Sequence, residues 1–105
     1  MTRPARQLKL GAFLSPTGHH AASWRHPDTP TDGGTNFEHF KKLAQLAEAA
    51  KFDAIFTADS DGAWPRAGDP EVRRRASQGG GFEPITLYSA LAAVTKNIGF
   101  ISTVS

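Results

Sequence analysis

The sequence of 105 residues contains no cysteine, and it has only one methionine and one tyrosine. The lack of cysteine excludes a disulfide framework, a thiolate metal site and a cysteine nucleophile. The sequence also lacks a strong charge of either sign, because 12 lysines and arginines against 10 aspartates and glutamates leave a net charge of +2. So small an excess does not create the positive field of a nucleic-acid-binding surface, and we expect no nucleic-acid partner.

Long apolar runs are missing as well. No run approaches the ~20 residues that a membrane-spanning helix needs, and no secretory apolar region follows Arg3 and Arg6 near the N-terminus. We therefore expect a cytoplasmic protein without a membrane partner. The apolar fraction of 39% is that of an ordinary globular sequence, and the length suits one small domain.

Three short apolar runs are predicted to form β-strands. They comprise residues 8–14, 52–58 and 98–104. The second is apolar at both alternating sets of positions, which is typical of a strand buried on both faces of a parallel sheet. Irregular stretches rich in proline and glycine, residues 15–34 and 59–81, follow the first two strands.

Two segments between these strands have apolar residues at helical spacing. The first helix is predicted to start at a capping box formed by Thr35 and Glu38 and to continue to Ala50. The second is predicted over residues 84–96, with Pro84 in the first turn, where a missing N–H is tolerated.

The order strand, helix, strand, helix, strand predicts an α/β fold with three neighbouring parallel strands and helices on one face. A closed barrel of such units needs eight strands and about 250 residues. We therefore expect a fragment or a truncated product, with a flexible segment over residues 1–7 and a partial barrel over residues 8–105. Such a fragment exposes apolar surface and an unpaired strand edge.

Several residue strings occur in one order along almost the whole chain from Leu8 onward. They include Gly18-His19-His20, Trp24-Arg25-His26-Pro27, Asn36-Phe37, Ala50-Lys51-Phe52-Asp53, Ala58-Asp59-Ser60, Phe82-Glu83-Pro84 and residues 89–95. Together they resemble the start of the nitrilotriacetate monooxygenase component A group, within the bacterial luciferase-like flavin-dependent monooxygenases. The resemblance implies the N-terminal portion of a TIM (β/α)₈ barrel. It also implies reduced FMN supplied by a separate flavin reductase, and O₂ as the oxidant of a small organic substrate containing nitrogen or sulfur.

The resemblance further implies that Asp59 and Thr103, at the ends of the second and third strands, contact the flavin. Without it, Asp59 fits a turn or capping role and Thr103 fits plain strand propensity. Phe13, His20, Trp24 and Phe56 are the implied substrate pocket, an aromatic wall suited to a flavin ring or an aromatic substrate. The alternative for Phe13 and Phe56 is packing in the core.

Other features carry weaker functional interpretations. No carboxylate or cysteine completes a ligand spacing with His19, His20 and His26, so we expect no metal. The cluster Arg73-Arg74-Arg75 is typical of a solvated loop, although it could attract an anion, and Gly79-Gly80-Gly81 lacks the context of a nucleotide-binding motif.

No catalytic residue is assigned, because the flavin carries out the oxygen chemistry. Family members are several times longer than this chain and hold the flavin phosphate with later segments, so we expect the 105 residues alone not to turn over. A homo-oligomer is expected. Two alternatives stay open: a non-catalytic remnant that associates with itself or with another barrel subunit, and a small α/β binding module.

Overall fold

The computed structural model describes residues 5–20, 22–59 and 81–104. Their elements follow in the order β1 (Gly11–Phe13), a 3₁₀ turn (Ser23–Arg25), α1 (Phe37–Ala49), β2 (Ala54–Thr57), α2 (Pro84–Ala93) and β3 (Gly99–Ser102). The predicted alternation of strands and helices is confirmed, although every strand is shorter than its apolar run. In this part of the chain no helix has both the length and the apolarity needed to cross a membrane.

The three strands form one parallel sheet in the order β1-β2-β3, as predicted. Ala12, Ile55 and Phe100 form one row across the sheet, and the row after it consists of Phe13, Phe56 and Ile101. Since successive residues of a strand point to opposite faces, these two rows lie on opposite sides of the sheet.

One side of the sheet is covered by the two helices. Ile55 and Leu91 are fully buried there, together with the α1 residues Phe40 and Ala44. The rings of Tyr88 on α2 and Phe100 on β3 lie 5.0 Å apart, which joins the second helix to the third strand. We call this the helix side.

We call the opposite side of the sheet the open face. Among the described residues, no helix covers it. Phe13 is 53% exposed and Ile101 is 55% exposed. The row of Gly11, Ala54 and Gly99 on the same face carries nothing larger than a methyl group. In β2, for which the sequence predicts burial on both faces, Ile55 is buried on the helix side, whereas Ala54 and Phe56 on the open face are half-buried.

The start of α1 differs from the predicted capping box. Asn36 is the N-cap, and its side-chain oxygen accepts a hydrogen bond from the His39 amide at 3.4 Å. The Thr35 hydroxyl instead donates to the Asp32 carbonyl at 3.3 Å and belongs to the preceding turn. The predicted pairing of Thr35 with Glu38 is wrong by one position, since two adjacent residues both have side chains that cap helices.

The end of α1 is fixed by two reverse hydrogen bonds. The Phe52 amide donates to the Ala47 carbonyl and the Lys51 amide donates to the Glu48 carbonyl, each at 3.0 Å. This pattern is a Schellman motif, and Lys51 occupies its left-handed position with a φ of 67°. The tight turn delivers the chain directly into β2.

The second helix begins where predicted and ends earlier. The Glu83 carboxylate caps it by accepting from the amides of Ile85 and Thr86 at 3.0 and 2.8 Å. It ends at Ala93 rather than near Lys96, because the chain beyond it turns toward the Glu48 carboxylate of α1.

Candidate functional site

The carboxyl ends of β1, β2 and β3 lie at one edge of the sheet, since the strands are parallel. We call this the carboxyl edge. In open and closed α/β folds, ligands bind at this edge, on the loops that follow the strands. All six residues that the sequence analysis assigns to a site lie at the strand ends or on the segments that follow them.

Asp59 and Thr103 meet at the carboxyl edge. The backbone amide of Asp59 donates a hydrogen bond to the Thr103 hydroxyl oxygen at 2.8 Å, although the two residues are 44 positions apart. Asp59 is half-buried and Thr103 is exposed. The structure therefore brings the two predicted flavin contacts together. Asp59 lies two residues beyond the end of β2, and Thr103 lies one residue beyond the end of β3.

Phe13 and Phe56 form a pair of aromatic rings on the open face near this edge. Their centroids lie 4.8 Å apart with the planes tilted by 51°. His19 packs edge-on against Phe13, also at 4.8 Å, and its Nε2 is hydrogen-bonded to the Phe13 carbonyl oxygen at 2.8 Å. Neither phenylalanine belongs to the core on the helix side.

His20 and Trp24 lie on the loop between β1 and α1, residues 14–36, which we call the β1–α1 loop. His20 Nδ1 accepts from the Ala22 amide at 3.0 Å, and the Trp24 ring lies 5.0 Å from the Arg25 guanidinium carbon. Within the described residues both contacts stay inside the loop, and neither residue joins the ring cluster of Phe13, Phe56 and His19.

Sequence analysis missed His39, which holds the β1–α1 loop to the first helix. Its Nε2 lies 2.7 Å from the Pro16 carbonyl oxygen, 23 residues away. Sequence patterns contain no signal for this contact, because a carbonyl oxygen is present at every residue. His19 does fall within the Gly18-His19-His20 string, although its partner could not be inferred.

The carboxyl edge thus combines a pair of tilted aromatic rings with the acidic residue Asp59 and the Thr103 hydroxyl. This combination suits a planar ring that is apolar on its faces and polar at its rim. In the described ranges no group of three or more His, Cys, Asp or Glu side chains is placed to hold a metal ion. The predictions on Arg73, Arg74, Arg75, Gly79 and Gly80 lie outside those ranges.

Comparison with known proteins adds a family and several relatives. A family model described as luciferase-like monooxygenase matches residues 17–105. The chain is 50% identical over 105 residues to N-acetyl-S-(2-succino)cysteine monooxygenase from Bacillus subtilis (strain 168). It is 32% identical over 103 residues to nitrilotriacetate monooxygenase component A from Aminobacter aminovorans. These alignments cover 100% and 93% of the chain but only 22% and 23% of the two relatives.

A solved structure shares the fold. The chain superposes on riboflavin lyase RcaE, crystallised with modified FMN and the substrate riboflavin, with a TM-score of 0.77 and 29% sequence identity. The match covers 95% of this chain and 23% of that protein. The βαβαβ unit described above is therefore consistent with the N-terminal part of a TIM barrel.

Proposed function

Because the chain belongs to the luciferase-like monooxygenase family, we propose that it forms the N-terminal part of an FMN-dependent monooxygenase. In this proposal the whole protein uses reduced FMN and O₂ to oxidise a small organic substrate that contains nitrogen or sulfur. Two relatives support this substrate class, since their names denote one sulfur-containing and one nitrogen-containing small molecule. The name component A supports a separate flavin reductase as the source of reduced FMN.

The observation that carries the proposal is the hydrogen bond of 2.8 Å between the Asp59 amide and the Thr103 hydroxyl at the carboxyl edge. The rings of Phe13 and Phe56 lie on the open face near the same edge. An isoalloxazine ring needs an apolar surface for its faces and hydrogen-bonding groups for its rim, and this edge offers both. We assign the grip on the FMN phosphate to later parts of the barrel, where barrel enzymes commonly hold phosphate.

Reduced FMN supplies the two electrons with which one oxygen atom of O₂ enters the substrate and the other leaves as water. The protein binds and orients the flavin and the substrate, and it excludes water from them. Because the Thr103 oxygen accepts from the Asp59 amide, the Thr103 proton remains able to donate to an acceptor at the flavin rim. Phe13 and Phe56 form the apolar wall, and the loop with His20 and Trp24 closes the substrate side.

The proposal is tested by titrating the protein, extended to the length of its relatives, with oxidised FMN and, without oxygen, with reduced FMN. Loss of one hydrogen bond at the flavin rim is expected to raise the dissociation constant about tenfold in Asp59→Ala and Thr103→Val. Asp28→Ala, at an exposed position of the β1–α1 loop, is the matched control and is expected to bind normally. No binding of FMN in either redox state would refute the assignment.

A second candidate function follows from the open face. Its exposed Phe13 and Ile101 favour a chain that associates with itself or with another barrel subunit without catalysis. In that case the 105 residues form a stable oligomer and bind no flavin. A homo-oligomeric state, a cytoplasmic location and the domain boundary at residue 8 stay predictions.

A further inference from the structure

The β1–α1 loop is held together mainly by short-range hydrogen bonds. Ser23 donates to the His20 carbonyl from its amide and its hydroxyl, at 2.9 and 2.7 Å, and the Thr29 hydroxyl donates to the Ser23 carbonyl at 2.7 Å. These bonds give the loop an internal shape, but they do not determine where it sits relative to the sheet.

Besides the His19 contact with the Phe13 carbonyl of β1, the loop is tied to the rest of the domain at Pro16. The Pro16 carbonyl oxygen is bonded to His39 Nε2 at 2.7 Å, and His39 lies in the first turn of α1. Gly33 approaches the same oxygen so closely that a side-chain carbon there would lie 3.0 Å from it, and Gly33 is buried. We call His39, Pro16 and Gly33 the Pro16 clamp. It joins the first part of the loop to its last part and to the helix.

The carbonyl partner in the clamp requires a proton on Nε2 of His39. A carbonyl oxygen only accepts, so Nε2 must carry a proton, and both the neutral ring with that proton and the imidazolium donate in the same way. The half-buried ring also packs against Phe40, at a centroid distance of 6.2 Å. One side chain thus connects the core of the helix side to the segment that leads to His20 and Trp24.

We propose that His39 is a positioning residue, which holds the Pro16 carbonyl and, together with the His19 contact to Phe13, fixes the loop carrying His20 and Trp24 at the carboxyl edge. The role of that loop in substrate binding rests on the proposed function, whereas the clamp itself does not depend on FMN. His39 contacts neither of the predicted flavin residues, so it acts through the loop.

The test compares His39→Phe, which keeps an aromatic ring but loses the donor, with His39→Gln, which keeps an N–H donor at similar reach. Trypsin cleavage between Arg25 and His26 measures opening of the loop, and cleavage after Lys51 measures opening of the whole domain. The neighbouring exposed variant Glu38→Gln is the control. Loss of the hydrogen bond is expected to accelerate cleavage at Arg25 about three- to tenfold in His39→Phe and not in the other two variants.

Three results would overturn the proposal: cleavage of His39→Phe at the wild-type rate, failure of His39→Gln to restore that rate, or an equal acceleration after Lys51. A measurement on the unaltered protein is independent of how the variants fold. Long-range ¹H–¹⁵N NMR correlations are expected to show a protonated Nε2 on His39 at neutral pH, and a bare Nε2 would also refute the clamp. Because neither measurement uses flavin, the clamp and the monooxygenase proposal can fail separately.

Discussion

At the scale of single residues, the backbone of Lys51 is the most unusual feature. It is the only non-glycine residue with positive φ in the described ranges, at 67°. A left-handed conformation crowds the Cβ atom of any L-residue, and glycine avoids that cost. The Schellman hydrogen bonds that end α1 impose this conformation on Lys51. The strain is therefore local to the turn before β2 and separate from the site.

Lys51→Gly is therefore expected to raise the free energy of unfolding by about 0.5–1 kcal/mol, the relief of Cβ crowding minus the extra freedom of glycine in the unfolded chain. Urea denaturation followed by circular dichroism measures the change. Lys51→Ala keeps the Cβ atom while removing the charge, and it is expected to bring no gain. Equal stabilisation by alanine and glycine would show that charge, not backbone strain, is responsible.

Also at this scale, the contact of His39 with Pro16 shows what sequence patterns cannot supply. The neighbourhood of Asp59 and Thr103 could be predicted, because parallel strands place their ends at one edge. The 2.7 Å contact to the Pro16 carbonyl could not, because backbone groups look alike in every sequence. The flavin and substrate roles of the six predicted site residues stay predictions.

At the scale of elements, Glu48 connects α1 to the entry of β3. Its Oε2 accepts from three successive amides, those of Lys96, Asn97 and Ile98, at 2.8, 2.7 and 3.1 Å. These hydrogen bonds, led by that of Asn97, lower the pKa of the Glu48 carboxyl below its ordinary value of 4.5. The third strand, which carries Thr103 beyond its end, is thus positioned by a charged side chain of the first helix.

The protein is expected to lose the stabilisation provided by the Glu48 hydrogen bonds in acid. The lowered pKa means that the folded state favours the carboxylate, so the stabilisation is complete above pH 4.5 and disappears as the pH falls from there through the folded-state pKa. Glu48→Gln is expected to lower the free energy of unfolding above pH 4.5. The same variant is expected to lose less stability than the wild type as the pH falls below 4.5.

Urea unfolding midpoints measured between pH 7 and pH 3 test this expectation. Glu38→Gln, which removes a carboxylate from the same helix without breaking a backbone hydrogen bond, is the control. If the unfolding midpoint of Glu48→Gln falls with decreasing pH as steeply as that of the wild type, the role assigned to Glu48 is contradicted.

The elements themselves were largely predictable, and their limits were not. The helical spacing from Phe37 to Ala49 and Pro84 at the start of α2 are local signals, and both helices occur there. The end of α2 depends on Glu48, 48 residues before the Lys96 amide that it binds, so the predicted extension to Lys96 was wrong. Strand limits likewise depend on the partner strand, which leaves β1 with three residues instead of seven.

At the scale of the whole molecule, the sheet has one covered side and one exposed side. Ile55 is fully buried on the helix side, whereas Ile101, in the neighbouring row and on the other face, is 55% exposed. The chain spans only 22–23% of the two relatives named above, and in a barrel the open face is the interior. Under the proposed function this face is the wall of a flavin site, and under the alternative function it is an association surface.

Light scattering after size-exclusion chromatography separates these two outcomes for the 105-residue chain. If the open face drives association, Ile101→Ser is expected to raise the dissociation constant about tenfold or more, because it removes a large apolar contact. Leu46→Ser, at an exposed position of α1, is the matched control and is expected to have little effect. A monomeric wild-type chain, or an effect of Leu46→Ser alone, would eliminate association through this face.

The row of Gly11, Ala54 and Gly99 has a consequence for the closed barrel proposed for the whole protein. A Cβ atom added to Gly11 would meet no heavy atom of the described residues within 4 Å, and this row has only small side chains, whereas the row of Phe13 and Phe56 is bulky. Interiors of such barrels are densely filled in layers. In a closed barrel, strands from the other side are therefore expected to place long side chains opposite the Gly11, Ala54 and Gly99 row and short ones opposite the Phe13 and Phe56 row. A cofactor would then share the interior only near the Phe13 and Phe56 row.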